Sequence, residues 1–248
     1  MRLHRFFVSQ IIGDQKTLTI NSAELVNQVS RVFRLKIGDS IILFDGSGFD
    51  YECKIDSFGE RSKIMDNKGM QATVVSKQLR ASSPFHEIVL CASIIKKDHF
   101  EMVVEKATEL GVSKIIPVLA ERSEKKSLNK DRLKKIAIEA SEQSGRGDIP
   151  EVSRIMTLEE TIEEVHLPQS DGAPPTLFAF HTEGKVLKLD VMQNIKSIVI
   201  FIGPEGGWSP EEVEVFHKND IQIVCLGSQI LRAETAAIAA ISQFAFNK

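Results

Sequence analysis

Ile198–Glu212, with the sequence IVIFIGPEGGWSPEE, is the stretch that decides the fold. Its apolar start predicts a β-strand buried on both faces of a sheet. Ser209 is a predicted helix N-cap, followed by Pro210 at the first helical position and Glu212 at the third, which completes a capping box. The glycine-rich segment Gly203–Gly207 therefore lies between a strand and a helix, where open α/β sheets bind ligands.

Two further predicted strands lead into loops of the same kind. Strand Ile221–Leu226 runs into Gly227–Arg232, and a helix begins at Ala233. Strand Leu177–Phe180 runs into His181–Gly184. The glycine-rich segment matches neither a GxxxxGK[ST] phosphate loop nor a GxGxxG dinucleotide fingerprint. A tight turn without a ligand would also explain its glycines, but three loops at strand ends favour one shared ligand pocket.

Strands and helices alternate after residue 84. The predicted strands there are Glu87–Ile95, Lys114–Leu119, Leu177–Phe180, Ile198–Ile202 and Ile221–Leu226. The predicted helices are Lys97–Leu110, Lys130–Ser144, Pro210–Lys218 and Ala233–Phe246. This alternation predicts an α/β domain with a mostly parallel sheet over residues 85–248.

The first 76 residues show short strands separated by turn signals, which is typical of a small β-barrel-like domain. The predicted strands are His4–Val8, Ser40–Phe44, Phe49–Ser57 and Gln71–Val75, with one helix near Ser22–Phe33. Residues 77–84, which include a Ser-Ser-Pro sequence, are a predicted linker. The chain is therefore expected to have two unequal domains, for which 248 residues suffice.

The distribution of charge indicates where an anionic partner would bind. The net charge of −3 gives no general sign of a nucleic-acid-binding protein. However, residues 1–80 and residues 96–146 each carry 12 basic and 9 acidic side chains, whereas residues 147–224 carry 5 and 14. We expect an anionic partner to contact the first 146 residues, although an asymmetry that arose by chance is the alternative.

Cysteine usage and hydropathy favour a cytoplasmic protein. Cys53, Cys91 and Cys225 lie far apart without zinc-ligand spacing, as do the six histidines, so we expect reduced core thiols and no metal. No segment approaches the roughly 18 apolar residues of a membrane span, and the N-terminus lacks the cleavage site of a secretory signal. We therefore expect no membrane association.

The motifs taken together resemble the ribosomal RNA small subunit methyltransferase E family, which consists of knotted SPOUT-class enzymes. The resemblance covers the whole chain, and its most specific parts are GPEGG-WSPEE and the later LG-x-x-ILR-x-ETA. The other matching segments are His4–Val8, Ser30–Leu35 with Gly38-Asp39, Lys96-Lys97, Glu105–Val112, Arg122–Glu124 and Glu142–Arg146 with Pro150. The chain departs from the family at Asn27-Gln28, ahead of Arg31, where the family pattern favours histidine.

The resemblance implies a PUA-like RNA-binding barrel followed by a SPOUT domain with a C-terminal trefoil knot. It also implies S-adenosylmethionine as methyl donor, a homodimer with active sites at the subunit interface, and 16S rRNA in the small ribosomal subunit as substrate. The methylated atom would be N3 of one uridine, uridine 1498. The implied cofactor-binding residues are Phe180, His181, Gly203, Pro204, Glu205, Gly206, Gly207, Leu226, Gly227, Ile230, Leu231, Arg232, Thr235 and Ala236.

The chemistry of N3 methylation suggests roles for two charged residues. Uracil N3–H is a weakly acidic imide, so it must lose a proton before it attacks a methyl group. Arg232 is the candidate to stabilise the negative charge that develops on the uracil oxygens, and a salt bridge to Glu205 or Glu234 is its structural alternative. Glu205 is the candidate proton acceptor, or it interacts with the positive charge of the cofactor. N-methylation requires no cysteine nucleophile.

Basic residues in the two positive segments are the expected RNA contacts. They are Arg2, Arg5, Arg31, Arg34, Lys36, Lys96, Lys97, Arg122 and Arg146. Solvated surface charge is the alternative for each of them. Three other functions remain open: a SPOUT methyltransferase for another rRNA or tRNA position, a non-catalytic ribosome-assembly factor that binds RNA, and a metal-dependent nucleotide enzyme.

Overall fold

The protein divides into two compact units. The computed structural model describes residues 3–59, 69–80, 87–124, 127–167, 174–187 and 195–246. The first unit comprises Met1–Ser82 and Ser141–Asp148, and the second comprises Ser83–Ala140 and Ile149–Lys248. Residues 141–148, which the sequence pattern placed in the α/β domain, thus group with the N-terminal unit.

The first unit is a curled five-stranded sheet around its own core. Its strands are β1 (Arg5–Phe7), β2 (Thr17–Ile20), β3 (Ser40–Phe44), β4 (Phe49–Phe58) and β5 (Met70–Leu79). They are ordered β1-β3-β4-β5-β2, with β1 parallel to β3 and every other pair antiparallel. The core is apolar and includes Phe6, Leu18, Ile41, Leu43 and Tyr51. The predicted small β domain is confirmed, with β2 as an additional strand.

The single helix predicted in this unit is interrupted. Ser22 caps helix α1 (Ala23–Asn27), and the chain continues as a π-helical turn, Gln28–Val32. Arg34 then has a left-handed backbone with a φ of 57°. At the other end of the unit, the predicted linker begins later than residue 77, because Lys77–Leu79 pair with β4. Residues 81–86 lie outside the described part of the chain.

The second unit is a parallel sheet with helices on both faces, which confirms the predicted α/β domain. Its strands are β6 (Glu87–Ser93), β7 (Lys114–Leu119), β8 (Glu151–Val152), β9 (Met156–Thr157), β10 (Thr176–Val186), β11 (Ser197–Ile202) and β12 (Gln222–Cys225). Its helices are α2 (Lys97–Glu109), α3 (Lys130–Ser144, of which the last four residues group with the first unit), α4 (Leu158–Val165), α5 (Pro210–Lys218) and α6 (Ala233–Ala245). The sheet order is β12-β10-β11-β6-β7-β8, and β9 pairs with β7.

The second unit has two hydrophobic cores, one on each face of its sheet, because side chains along the buried strands alternate between the two faces. On β6, Ile88 and Leu90 pack in one cluster with residues of α2, α3 and α6. Val89 and Cys91 pack in the other cluster with residues of α4 and α5. Successive side chains of a strand point to opposite faces, so a strand covered on both faces reads as a continuous apolar run. No described helix is long and apolar enough to cross a membrane.

Strand β10 differs most from its prediction. It was expected to end at Phe180, but it continues to Val186, with a register shift against β12 between Phe180 and Lys185. In this continuation Gly184 lies against the backbone of Val224, where an added Cβ would come within 2.4 Å of the Val224 carbonyl carbon. Three further elements, β8, β9 and α4, were not predicted, because two-residue strands carry no periodicity and α4 is only eight residues long.

Candidate active site

A cavity opens where three parallel strands approach one edge of the sheet. Phe180 of β10 pairs with Ile202 of β11 on one side and with Val224 of β12 on the other. The cavity has a volume of about 440 Å³, which is within the range of small-molecule sites. Its lining residues are Phe180, His181, Thr182, Ile202, Gly203, Pro204, Glu205, Gly206, Gly207, Trp208, Cys225, Leu226, Gly227, Gln229, Ile230, Leu231, Arg232, Ala233 and Ala236.

The structure thus brings the three predicted loops together. Every residue predicted to bind the cofactor lines the cavity except Thr235, which is exposed on the first turn of α6 and absent from the lining. Of the other lining residues, Thr182 and Gln229 lie within the predicted loops, whereas Ile202, Trp208, Cys225 and Ala233 were not predicted to line the site. Each of them is next to a predicted residue or between two, so extending each loop by one residue at either end would have found most of them.

The glycine-rich loop is held against Trp208. A Cβ on Gly203 would come 3.2 Å from the indole nitrogen of Trp208, which is closer than side chains normally pack. Gly207 has a φ of 70°, which favours glycine. Beyond the loop, the Glu212 N–H donates to the Ser209 hydroxyl at 3.2 Å, and the Ser209 N–H donates to the Glu212 carboxylate at 2.8 Å. The predicted capping box is therefore confirmed.

Residues after β7 support the same loop from the side. The Arg122 guanidinium donates to the carbonyl oxygens of Gly206 at 2.9 Å and of Trp208 at 3.4 Å. The buried Glu212 carboxylate also accepts from the Glu121 N–H at 2.9 Å. Arg122, which we predicted as an RNA contact, is therefore engaged with the backbone of the cavity wall.

Arg232 is an exposed cation on the cavity wall. It is the N-cap residue of α6, and its side chain makes no capping hydrogen bond. Neither of the two salt bridges considered for it is formed: Glu234 is instead buried, with an oxygen 3.8 Å from His99 Nδ1. Within the described part of the chain, Arg232 makes no ion pair. Its guanidinium is therefore available to a ligand.

Glu205 and His181 are the other polar lining residues with defined contacts. The exposed Glu205 carboxylate accepts from the N–H of Lys96, the N-cap residue of α2, at 3.4 Å. His181 Nδ1 accepts from the Glu183 N–H at 3.1 Å, which leaves Nε2–H as the donor of a neutral ring.

Two of the predicted RNA contacts are instead buried in the first unit. The Arg5 guanidinium forms an ion pair with Asp50 and donates to the Arg146 carbonyl oxygen at 2.6 Å. Arg146 in turn pairs with Asp148 at 2.8 Å. Arg5 and Arg146 are each 7% exposed. These contacts correct the prediction, because a guanidinium enclosed by its own partners does not reach a phosphate.

Other predicted RNA contacts are at the surface. Arg31, Arg34 and Lys36 are exposed in the first unit, and their side chains make no ion pair within the described residues. Lys96 is exposed in the second unit. Of the rest, Arg2 and the side chain of Lys97 lie outside what the structure describes.

The three cysteines are buried and free. Burial raises the pKa of the Cys53 thiol to about 12, and burial also raises that of Cys91. Both thiols therefore remain protonated near neutral pH, as expected for core residues. No group of His, Cys, Asp or Glu side chains among the described residues is arranged to hold a metal ion.

Comparison with known proteins agrees with both units of the fold. Residues 81–245 match a family described as RNA methyltransferase domain, and residues 31–62 match one described as RNA methyltransferase PUA domain. The chain is 31% identical to ribosomal RNA small subunit methyltransferase E of Rickettsia conorii, over 98% of this chain and 95% of that protein.

Two solved structures with the same fold contain S-adenosylmethionine. One is ribosomal RNA small subunit methyltransferase E of Neisseria gonorrhoeae, with 27% identity, a TM-score of 0.81 and coverage of 97% of this chain and 96% of that one. The other is a putative methyltransferase of Legionella pneumophila, with 27% identity, a TM-score of 0.81 and coverage of 98% and 96%.

The two matched families assign the chain to the RNA methyltransferases that carry a PUA domain. The matches extend over nearly the full length of both this chain and its relatives. The chain belongs to the ribosomal RNA small subunit methyltransferase E family.

Proposed function

We propose that the protein methylates N3 of one uridine in 16S rRNA, uridine 1498, with S-adenosylmethionine as donor. The observation that carries the proposal is the cavity where β11 and β12 end beside Phe180 of β10, with Arg232, which makes no ion pair among the described residues, on its wall. Family membership supports the substrate, because the relatives are named for the small-subunit rRNA. The protein would act in the cytoplasm, where small ribosomal subunits are available.

The cavity residues suit the proposed cofactor. Phe180, Ile202, Leu226 and Ala236 offer apolar surface to a flat adenine ring. The two glycine-bearing loops leave backbone N–H and C=O groups accessible for its polar atoms. When bound there, S-adenosylmethionine supplies a methyl group activated by its sulfonium charge.

The chain itself would have to remove a proton and stabilise an anion. The Arg232 guanidinium would donate to O2 or O4 of uracil, where negative charge develops as the N3 proton leaves. Glu205 would accept that proton. Thr235 is left out of the proposed cofactor site because it does not line the cavity.

Two further features of the proposal follow from the family. We propose a homodimer with the cavities at the subunit interface, and the exposed apolar side chains of Ile230 and Leu231 beside the cavity support it. We also propose that the last strands and α6 form a trefoil knot. The strand order supports that topology, because the chain passes from β11 across β10 to reach β12.

The protein is expected to bind S-adenosylmethionine with the same affinity in the presence and absence of a chelator. The reason is that His181, Glu205 and Cys225 of the lining form no metal-binding group, and no such group is found among the described residues. Isothermal calorimetry measures both affinities. Gly203→Val is the matched control, because its side chain would collide with Trp208, and it should weaken binding. Binding that disappears with chelator would favour the nucleotide enzyme, and no binding at all would favour the assembly factor.

Charge reversal at Arg31 or Arg34 is expected to weaken RNA binding by on the order of tenfold at low salt, and to leave cofactor affinity unchanged. Both side chains are exposed and unpaired among the described residues of the PUA-like unit. Each lost phosphate contact should also reduce, by about one, the slope of the logarithm of the RNA-binding constant against the logarithm of the salt concentration. Small subunits from a strain that lacks the methylation are the substrate. Lys54→Glu, an exposed reversal on β4, is the control, and an equal loss there would place the RNA surface elsewhere.

A further inference from the structure

Two aromatic rings lie together at the surface of the first unit. The ring centroids of His4 and Phe33 are 4.4 Å apart, with an angle of 47° between the planes. Phe33 is 38% exposed, and His4 is exposed as well. A phenylalanine so placed leaves apolar ring surface in contact with water, which costs free energy unless a partner covers it.

The two rings are attached to rigid backbone. The Ile42 N–H of β3 donates to the His4 carbonyl oxygen at 2.8 Å, and the Phe33 N–H donates to Gln28 at 2.9 Å. Beneath them, the fully buried Phe6 contacts Phe33 edge to face, with centroids 5.4 Å apart. A ligand that stacks on these rings would therefore lose little conformational entropy to order them.

The residues that flank Phe33 carry positive charge in a strained arrangement. Arg31, Arg34 and Lys36 are exposed, and within the described chain their side chains form no ion pair. Arg34 has a φ of 57°, a left-handed conformation at the end of the π-helical turn where glycine or asparagine is usual. Backbone strain held at an exposed arginine points to a role for its side chain outside the fold.

We propose that His4 and Phe33 form a stacking platform for one unpaired nucleobase of the RNA substrate, with Arg31, Arg34 and Lys36 contacting the neighbouring phosphates. The inference rests on the proposed function, and it adds the form of RNA that this unit recognises. An unpaired base exposes its ring face to an aromatic side chain, whereas a base inside a duplex is already stacked on its neighbours. The three cations match the charge of the adjacent backbone.

Phe33→Ala is expected to reduce affinity for a short labelled oligouridine by about 5- to 150-fold, the scale for losing one stacked base. The salt dependence of binding should stay the same, because no charge is lost. Phe33→Trp should bind at least as well as the original protein. Val75→Ala, which removes another exposed apolar side chain from the same unit, should have no effect.

The Arg34→Gly variant distinguishes an effect on the stability of the fold from an effect on RNA binding. Glycine relieves the left-handed strain, so the melting temperature should rise by about 2–4 °C. Affinity for oligouridine should nevertheless fall, and its salt slope should drop by about one. A variant that gains stability and keeps full affinity would show that Arg34 does not contact the RNA.

Several outcomes would overturn the platform. The first is that Phe33→Ala binds oligouridine as tightly as the original protein. The second is that Phe33→Ala loses as much affinity for a blunt RNA duplex as for oligouridine. The third is that Phe33→Trp loses affinity for oligouridine although its melting temperature is unaltered. Cross-linking of a 5-iodouridine oligonucleotide to His4 or Phe33 would support it directly. Failure of the unaltered enzyme to methylate small subunits would contradict the proposed function, while the oligouridine titration would still decide the platform.

Discussion

Arg232→Ala is expected to lower the rate of methyl transfer by about 10²–10³, the scale for removing one donor that stabilises a developing oxyanion. The guanidinium lines the cavity and makes no ion pair with the described residues, so its removal should break no contact within the fold. Cofactor affinity, melting temperature and the mass of the proposed dimer should therefore change little. Single-turnover methylation of small subunits at saturating S-adenosylmethionine measures the rate, and light scattering measures the mass.

Two other variants make the Arg232 result interpretable. Arg232→Lys should recover only part of the rate, because lysine keeps the charge but lacks the planar fork of donors. Arg154→Ala removes an arginine of the same unit that pairs with Glu160 at 3.1 Å, and it should leave the rate unchanged. A normal rate in Arg232→Ala would exclude a catalytic role. Dissociation into monomers would instead show that Arg232 belongs to the interface.

Gly184→Ala is expected to destabilise the second unit by about 1–3 kcal/mol. A Cβ at this position would come 2.4 Å from the Val224 carbonyl carbon and 2.6 Å from its oxygen, so strand β12 or β10 has to shift. For a unit of this size, each kcal/mol corresponds to a fall of about 2–4 °C in melting temperature. Cofactor affinity should fall as well, because Phe180–Thr182 of β10 and Cys225 of β12 line the cavity. Thermal unfolding with and without S-adenosylmethionine measures both effects.

The matched control for Gly184 is Gly69→Ala. Gly69 also has an ordinary φ, but an added Cβ there would meet the Asn21 side chain at 3.4 Å and the Ile20 carbonyl oxygen at 3.6 Å, which are ordinary van der Waals distances. It should leave the melting temperature within about 1 °C. If Gly184→Ala and Gly69→Ala change the melting temperature equally, the close approach of β10 to β12 is not a constraint on the fold.

Local patterns in the sequence were sufficient to predict the site loops. The capping box at Ser209 and Glu212, the strand that ends at Ile202 and the start of α6 at Ala233 were all found where expected. Such features depend on hydrogen bonds and burial among residues within one or two turns of each other. By contrast, the π-helical turn Gln28–Val32, which interrupts the helix predicted near Ser22–Phe33, had no local signal in the sequence.

By itself, the sequence determined the class of each unit, the loops that line the cavity and, through its motifs, the family. It did not determine which arginines are free. Arg5 is paired with Asp50 and the Arg146 carbonyl, Arg122 is bonded to Gly206 and Trp208, and Arg232 makes no ion pair with any described residue. Each partner lies more than 40 residues away in the chain. Only the packing of distant segments brings such groups within hydrogen-bond distance, so the tertiary structure decided which charges bind the protein itself and which remain available to cofactor and RNA.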